Sequence, residues 1–183
     1  SAANLVIGNL YRAGLPEERY RFYMGQALCI RACLYFQIIR LWGDAPLVLE
    51  YEDISEKGRT PWREIAGHIV ADLLLAAEYL PPADQLKDSE GKPLTARQIP
   101  GRGTAYAILA GVYAWIAGYG QEPEYYALGI EAAGKVIGDP NYRLVASPEE
   151  VCTEVLPGNS EEGIFEVCYD DSRGEYKDFG SYI

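Results

Sequence analysis

One histidine, His68, and four scattered cysteines leave this chain short of the side chains from which most metal centres and nucleophilic sites are assembled. His68 falls at four-residue steps from Glu64 and Asp72, on the face of a helix opposite its apolar stripe. With no second histidine to complete a ligand set, it reads as a solvated surface residue. Cys29 and Cys33 are one helical turn apart, where direct disulfide geometry is poor, so both read as small buried hydrophobes. Cys152 and Cys168 leave two readings open, a disulfide between a loop and a strand or two free thiols. Positive charge is also scarce: 16 Lys and Arg against 27 Asp and Glu give a net charge of -11, which opposes binding to phosphate backbones and argues against a nucleic-acid partner. No apolar run reaches the roughly 18 residues of a membrane span. Ser1-Ala2-Ala3-Asn4 is not a signal peptide, so any export or anchoring sequence is expected to be absent from this chain.

What is present is a helical pattern. At 183 residues and 49% hydrophobic content the chain can bury one sizeable core, and nothing marks a second domain, so 1–183 is expected to form one unit. From about Pro16 a long helix is predicted, with Tyr20, Met24, Ala27, Leu34, Ile38 and Leu41 along one face and Arg31 inside that stripe. A guanidinium there has to be paired or capped by carbonyls, since a buried unpaired charge costs roughly 3 kcal/mol or more. The helix is expected to stop at Trp42-Gly43, after which Asp44-Ala45-Pro46 forces an extended arm, Leu47-Val48-Leu49.

The remaining segments extend the pattern. Residues 2–13 read as a helix stopped at Gly14. Thr60-Pro61 opens a further helix with Trp62, Ile65, Ile69, Leu73, Ala76 and Leu80 on its apolar side. Residues 83–103 form a long linker. Gly101-Arg102-Gly103 lacks both a preceding strand and a following Lys-Ser/Thr, so it reads as the lead into a helix rather than a phosphate cradle. Thr104 to Tyr119 is apolar nearly all round and rich in Ala and Gly, as a helix buried between close neighbours requires. Pro123-Glu124 opens the next helix, with Tyr126, Ile130, Ala133 and Ile137 on its face. Pro148 to Val151 suggests a short helical turn, and Gly163 to Tyr169 alternates like a strand. These spacings suggest two helix-turn-helix units of tetratricopeptide type.

Several of these runs resemble a known family. Gln26-Ala27, Arg31-Ala32, Tyr35-Phe36, Arg40-Leu41-Trp42-Gly43-Asp44 and Pro46-Leu47-Val48 are similar to the E-A-x-x-x-R-A-x-x-Y-F-x-x-x-R-L-Y-G-D-x-P-L-V signature of SusD/RagB-like proteins, with Gln26 in place of Glu and Cys29 in place of an aromatic residue. Thr60-Pro61 with Ile69, Asp72-Leu73 and Leu80-Pro81 resembles the family's T-P-R…I-x-x-D-L…L-P helix. The run 102–113 resembles its K-G-A-A-Y-A-L-L-A-R-V-Y, although Gln98-Ile99-Pro100-Gly101 replaces the usual G-R-A-T. Val136-Ile137, Tyr142-Arg143-Leu144 and the stretch 159–167 follow the family's V-I…Y-x-L and N-S-E-E-I-I-F-E-V in the same order.

The resemblance implies a mostly α fold, a SusD-like superhelix of stacked tetratricopeptide-like hairpins with minor strand content. This chain would be the helical scaffold portion of a longer protein. Arg31, Trp42, Gly43, Asp44 and Pro46 carry the structural motif. It further implies a surface lipoprotein of the outer membrane of Bacteroidetes, held only by an N-terminal lipid anchor outside this chain. Such a protein binds an oligo- or polysaccharide and delivers it to a TonB-dependent, SusC-like transporter that it caps.

No enzyme is expected, because the sequence assembles no Ser/His/Asp set, no Cys with a histidine partner and no metal-ligand spacing, and no cofactor or metal is implied. Sugar recognition needs aromatic faces and hydroxyl-binding groups, and 15 Tyr and 3 Trp permit it. Tyr23, Tyr35, Tyr106, Tyr113 and Trp115 lie on helix stripes and read as core. The candidate ligand contacts are Tyr169, Tyr176, Phe179 and Tyr182, which are interleaved with charged residues in a polar tail. The rival reading is a tetratricopeptide scaffold whose helical face binds a partner protein.

Overall fold

The computed structural model describes residues 2–94, 97–155 and 160–167. Helices run in the order α1 (Ala2–Asn9), α2 (Glu17–Trp42), α3 (Trp62–Tyr79), α4 (Arg102–Tyr119), α5 (Tyr125–Ile137) and a short α6 (Pro148–Glu150), which continues into a π turn, Val151–Val155. α1 and α3 both pack on α2, α4 packs on α3, and α5 packs on α4, so two antiparallel hairpins stack side by side. α2 also meets α4 directly, where the ring of Phe36 stands edge-on to Trp115 at 6.2 Å. The fold is mostly α. The strand content expected from sequence is confined, among the described residues, to two isolated bridges, Ala45 with Thr60 and Lys87 with Pro93.

The helix ends follow local chemistry. Gly14 adopts φ +59° and closes the 3₁₀ turn Leu10–Ala13 that finishes the first helix. Gly43, at φ +66°, stops α2 while its N–H donates to the Ile39 carbonyl at 3.0 Å. α3 is capped from a distance: no side chain next to it in sequence does so, and the backbone N–H of Trp62 donates to Asp44 Oδ1 at 2.9 Å. A carboxylate at a helix N-terminus satisfies an orphan donor and complements the helix dipole. Asp44→Ala is therefore expected to lower stability by about 1 kcal/mol, measured as a shift of the urea midpoint at unchanged slope. A shift indistinguishable from zero would mean that water replaces the cap at no cost.

Two faces differ from the expected stripes, for one reason. α2 carries apolar side chains on most sides. It buries Met24 and Ala27 as expected, together with Phe22, Gly25, Leu28, Cys29, Ala32, Phe36 and Ile39, while Leu34 and Leu41 are exposed and Tyr20 and Ile38 only half-buried. α5 buries Gly129, Ala132 and Val136 and turns Tyr126, Ile130 and Ile137 outward. In both helices the small residues choose the interface, because they let the backbones approach. A Cβ on Gly129 would stand 3.5 Å from the Ala110 carbonyl, and one on Gly25 would stand 2.8 Å from Leu80 Cγ. α2 is long and apolar enough by length and composition to cross a membrane, contrary to the expectation of no such run. However, 56% of its most apolar window is buried inside the protein, as in a core helix. Cys29 belongs to that interior, and burial pushes its thiol up to about 12; Cys33 is half-buried and is shifted upward for the same reason.

The long linker is more ordered than its composition implies. Leu86 is buried in the core. Asp88 Oδ1 accepts from the N–H groups of Glu90 and Lys92 at 2.8 and 2.9 Å, and Arg102 N–H donates to the Pro81 carbonyl at 2.9 Å. Residues 163–167 do not form the expected strand, since no neighbouring strand among the described residues offers a ladder. They dock instead on α4 and the linker: Glu166 N–H donates to the Arg97 carbonyl at 2.9 Å and the Thr104 hydroxyl to the Ile164 carbonyl at 3.3 Å.

Candidate functional site

The expected ligand contacts Tyr169, Tyr176, Phe179 and Tyr182 lie outside the described residues, as does Cys168, the possible partner of the exposed Cys152. Among the described residues, three places combine aromatic or charged side chains with shape.

The first is a knot below the arm. Arg31 donates through Nε and Nη2 to Asp72 Oδ2 and Oδ1 at 2.7 and 2.8 Å, a two-pronged pair with side chains only 10% and 14% exposed. Its Nη1 lies 3.5 Å from both Asn4 Oδ1 and the Leu49 carbonyl. Asn4 in turn donates to the Val48 carbonyl at 2.7 Å. The Tyr35 hydroxyl donates to that same carbonyl at 3.0 Å and accepts from Val48 N–H at 2.7 Å. Asp72 thus faces Arg31 and does not share the solvated face of His68. α1, α2, α3 and the arm are tied through one guanidinium, and every strong donor is already used, so this place is structural.

The second is a cleft of about 750 Å³ between the start of α2 and the linker, lined among others by Arg19, Phe22, Tyr79, Asp84, Asp88 and Arg102. Its rings already carry guanidinium groups. The Arg19 guanidinium lies over Phe22 and Tyr23 at 5.2 and 4.7 Å, and Arg21 lies over Tyr79 at 5.1 Å. Arg19 is further held by the Asp88 carbonyl at 3.0 Å. The result is a charged crevice in which each of these rings already has a cation over one face.

The third lies at the opposite end of the hairpins, where α3 begins and α4 ends. Trp115 and Tyr119, one turn apart on α4, stack nearly parallel at 4.6 Å and 17°. Trp62 meets both edge-on, at 4.9 Å from Trp115 and 5.4 Å from Tyr119. Arg63 lies over the Trp62 ring at 4.4 Å and donates to Glu122 Oε1 at 2.8 Å and to the Gly120 carbonyl at 2.9 Å. Beside this corner a cleft of about 470 Å³ runs between α3 and α5, walled by Trp62, Val70, Tyr113, Tyr125 and Leu128 with the Arg63–Glu122 pair at its rim. Burial raises the Tyr113 phenol above its ordinary value, with Tyr125 and Glu131 adding to the shift. The helical stripes assigned Trp62 and Trp115 to the core and left Tyr119 unassigned. The spacing of Trp115 and Tyr119 at i and i+4 is the signal in the sequence that could have found their stack.

Comparison with known proteins places this architecture. A SusD-like family model, described as starch-binding and associating with the outer membrane, matches residues 1–114. SusD-like protein P2 of Formosa agariphila is 32% identical over 115 residues, covering 61% of this chain and 21% of that protein, so the chain spans about a fifth of the length of this curated relative. A crystal structure of a SusD superfamily protein from Bacteroides vulgatus shares the fold over 98% of this chain and 35% of its own, with TM-score 0.75 and 23% identity. A laminarin-binding SusD-like protein does so over 94% of this chain and 36% of its own, with TM-score 0.74 and 22% identity. Because the family match runs through the Arg31 knot, the arm and α3 into α4, more than half of the sequence, this chain belongs to the SusD-like family.

Proposed function

We propose that this chain is the helical scaffold portion of a nutrient-binding protein that captures an oligo- or polysaccharide at the outer membrane and passes it to a TonB-dependent, SusC-like transporter. The family match over residues 1–114 carries this reading, since that family is described as starch-binding and associating with the outer membrane. The laminarin-binding relative that shares the fold supports the ligand class. The chemistry is non-covalent: aromatic faces stack on the C–H surfaces of pyranose rings, planar polar groups take the hydroxyls, and no bond is broken. On this reading the protein works at the cell surface as a lipoprotein, in line with a family described as associating with the outer membrane. A stack of hairpins suits such a role because it is rigid and can hold recognition groups at its ends without disturbing the packed interior.

Two measurements test this reading. Affinity purification of the tagged protein from outer-membrane fractions is expected to recover a transporter of the SusC-like class, and a glycan array is expected to show retention on neutral polysaccharides. Recovery of no transporter together with a blank array would overturn it.

A further inference from the structure

We propose that the corner built from Trp62, Trp115 and Tyr119, with Arg63 and Glu122 at its rim, is a stacking subsite for a neutral gluco-oligosaccharide, carried by the helical scaffold itself. The ligand class rests on the glycan-capture reading above; the location rests on the geometry. Tyr119 is 61% exposed even though one face of its ring lies on Trp115, so the other face is offered to solvent as a flat apolar surface. The stack behind it, wedged by Trp62, holds that surface in one orientation, which lowers the ordering cost of binding. A pyranose needs such a platform, and the rings of the charged cleft at the other end of the molecule already hold guanidinium groups.

The hydroxyl-binding groups are placed by the same turn. Arg63 uses Nε for Glu122 and Nη2 for the Gly120 carbonyl. No hydrogen bond among the described residues engages its Nη1 or the second oxygen of Glu122. A planar donor and an adjacent acceptor, paired so that the rim is electrically neutral, match two vicinal hydroxyls of an uncharged sugar better than a phosphate or a uronate. The turn itself is unusual. Gln121 sits at φ +58°, the one non-glycine residue at positive φ among those described, and a Cβ on Gly120 would stand 3.0 Å from Trp62 Cη2. Strained backbone of this kind concentrates at binding sites, and here it directly precedes Glu122, the partner of Arg63. The adjoining cleft of about 470 Å³ lies within the roughly 300–1,000 Å³ typical of small-ligand sites, leaving room for a second sugar unit.

The test is titration of the 183-residue chain with maltoheptaose and with laminarihexaose, followed by calorimetry and by tryptophan fluorescence, because Trp62 and Trp115 report directly on the corner. Saturable binding of at least one sugar is expected, weakened about tenfold by Tyr119→Ala and by Arg63→Ala. Tyr119→Phe keeps the ring and is expected to bind within about twofold of the parent, since only a hydroxyl is lost. Tyr11→Ala removes an exposed ring at the opposite end and is expected to leave binding unchanged. Circular dichroism melts accompany each variant; should Tyr119→Ala unfold, Arg63→Ala, which removes a half-exposed side chain and leaves the Trp115–Tyr119 stack in place, decides the matter. Binding that ignores both substitutions would place the sugar elsewhere and overturn the subsite while leaving glycan capture standing. Failure of both sugars to bind, or a change only in self-association, would overturn it as well. Neither result bears on transporter recovery, which tests the uptake reading separately.

Discussion

Arg31→Ala is expected to cost about 3–5 kcal/mol of folding stability, the range for leaving one member of a buried ion pair without its partner. The guanidinium makes both strong contacts of the knot with Asp72, and its removal strands a carboxylate that is only 14% exposed. It also removes the donor facing the Leu49 carbonyl, so the arm loses one of its ties to α2. Much of the loss comes from the stranded charge rather than from the worth of the pair, because the attraction between two buried charges is largely offset by their desolvation. The double variant Arg31→Met with Asp72→Leu is accordingly expected to recover most of the stability, while loosening the arm, which Asn4 and Tyr35 then hold alone. Urea unfolding of the two single variants and the double variant completes the cycle. A loss below about 1 kcal/mol for Arg31→Ala would show that the pair is solvated in solution and that the knot is not what orders the arm.

A second large effect is expected where α2 meets the end of α3. Leu80 is fully buried, and its Cγ occupies the space that a Cβ on Gly25 would enter. Leu80→Ala is expected to cost about 2–5 kcal/mol through lost transfer free energy and the cavity left behind. Gly25→Ala brings two opposing effects: a helix-propensity gain of about 1 kcal/mol and an overpacking cost of about 1–3 kcal/mol. The neighbours are a core leucine and the Tyr79 Cβ, which a new methyl would approach to 3.2 Å, so neither yields easily and the net sign is destabilising. In the double variant the methyl added by Gly25→Ala partly fills the space vacated by the Leu80 side chain, and its cost turns into a gain. The pair is therefore expected to be strongly non-additive, with the double variant more stable than Leu80→Ala alone. Strict additivity would mean that α2 and α3 do not close on Gly25 as tightly as the geometry requires.

How far the sequence could be read depended on what each residue was competing against. Helix positions, the glycine stops at Gly14 and Gly43, the need to neutralise Arg31 and the pairing of helices into hairpins all followed from local chemistry, because backbone sterics and a buried charge allow few solutions. The face of α2 followed only in part, at Met24 and Ala27, and that of α5 lay elsewhere. Both helices carry large apolar residues on more than one side, and periodicity alone favoured Leu34, Leu41, Ile130 and Ile137, all of which are exposed. The placing of small side chains among the large ones decided the contact: Gly25, Cys29 and Ala32 on one helix and Gly129 and Ala132 on the other let the axes close, and dispersion rewards the closer approach. The strand expected at 163–169 failed over its described part, 163–167, for a related reason, since alternation makes a strand only where a second strand supplies the ladder.

The candidate site divides in the same way. The sequence alone permitted sugar recognition through 15 Tyr and 3 Trp, and its net charge of -11 argued against a nucleic-acid partner, since composition bounds which chemistry is available. Tertiary structure alone brought Trp62 from the start of one helix against Trp115 and Tyr119 at the end of another, and set Asp72 on Arg31 and Asp44 on Trp62, because antiparallel stacking joins residues far apart in the chain. Propensity and capping act within about one helical turn, so a sequence can declare its elements. Which faces meet, and therefore where aromatic rings gather, is settled by the fit of whole surfaces.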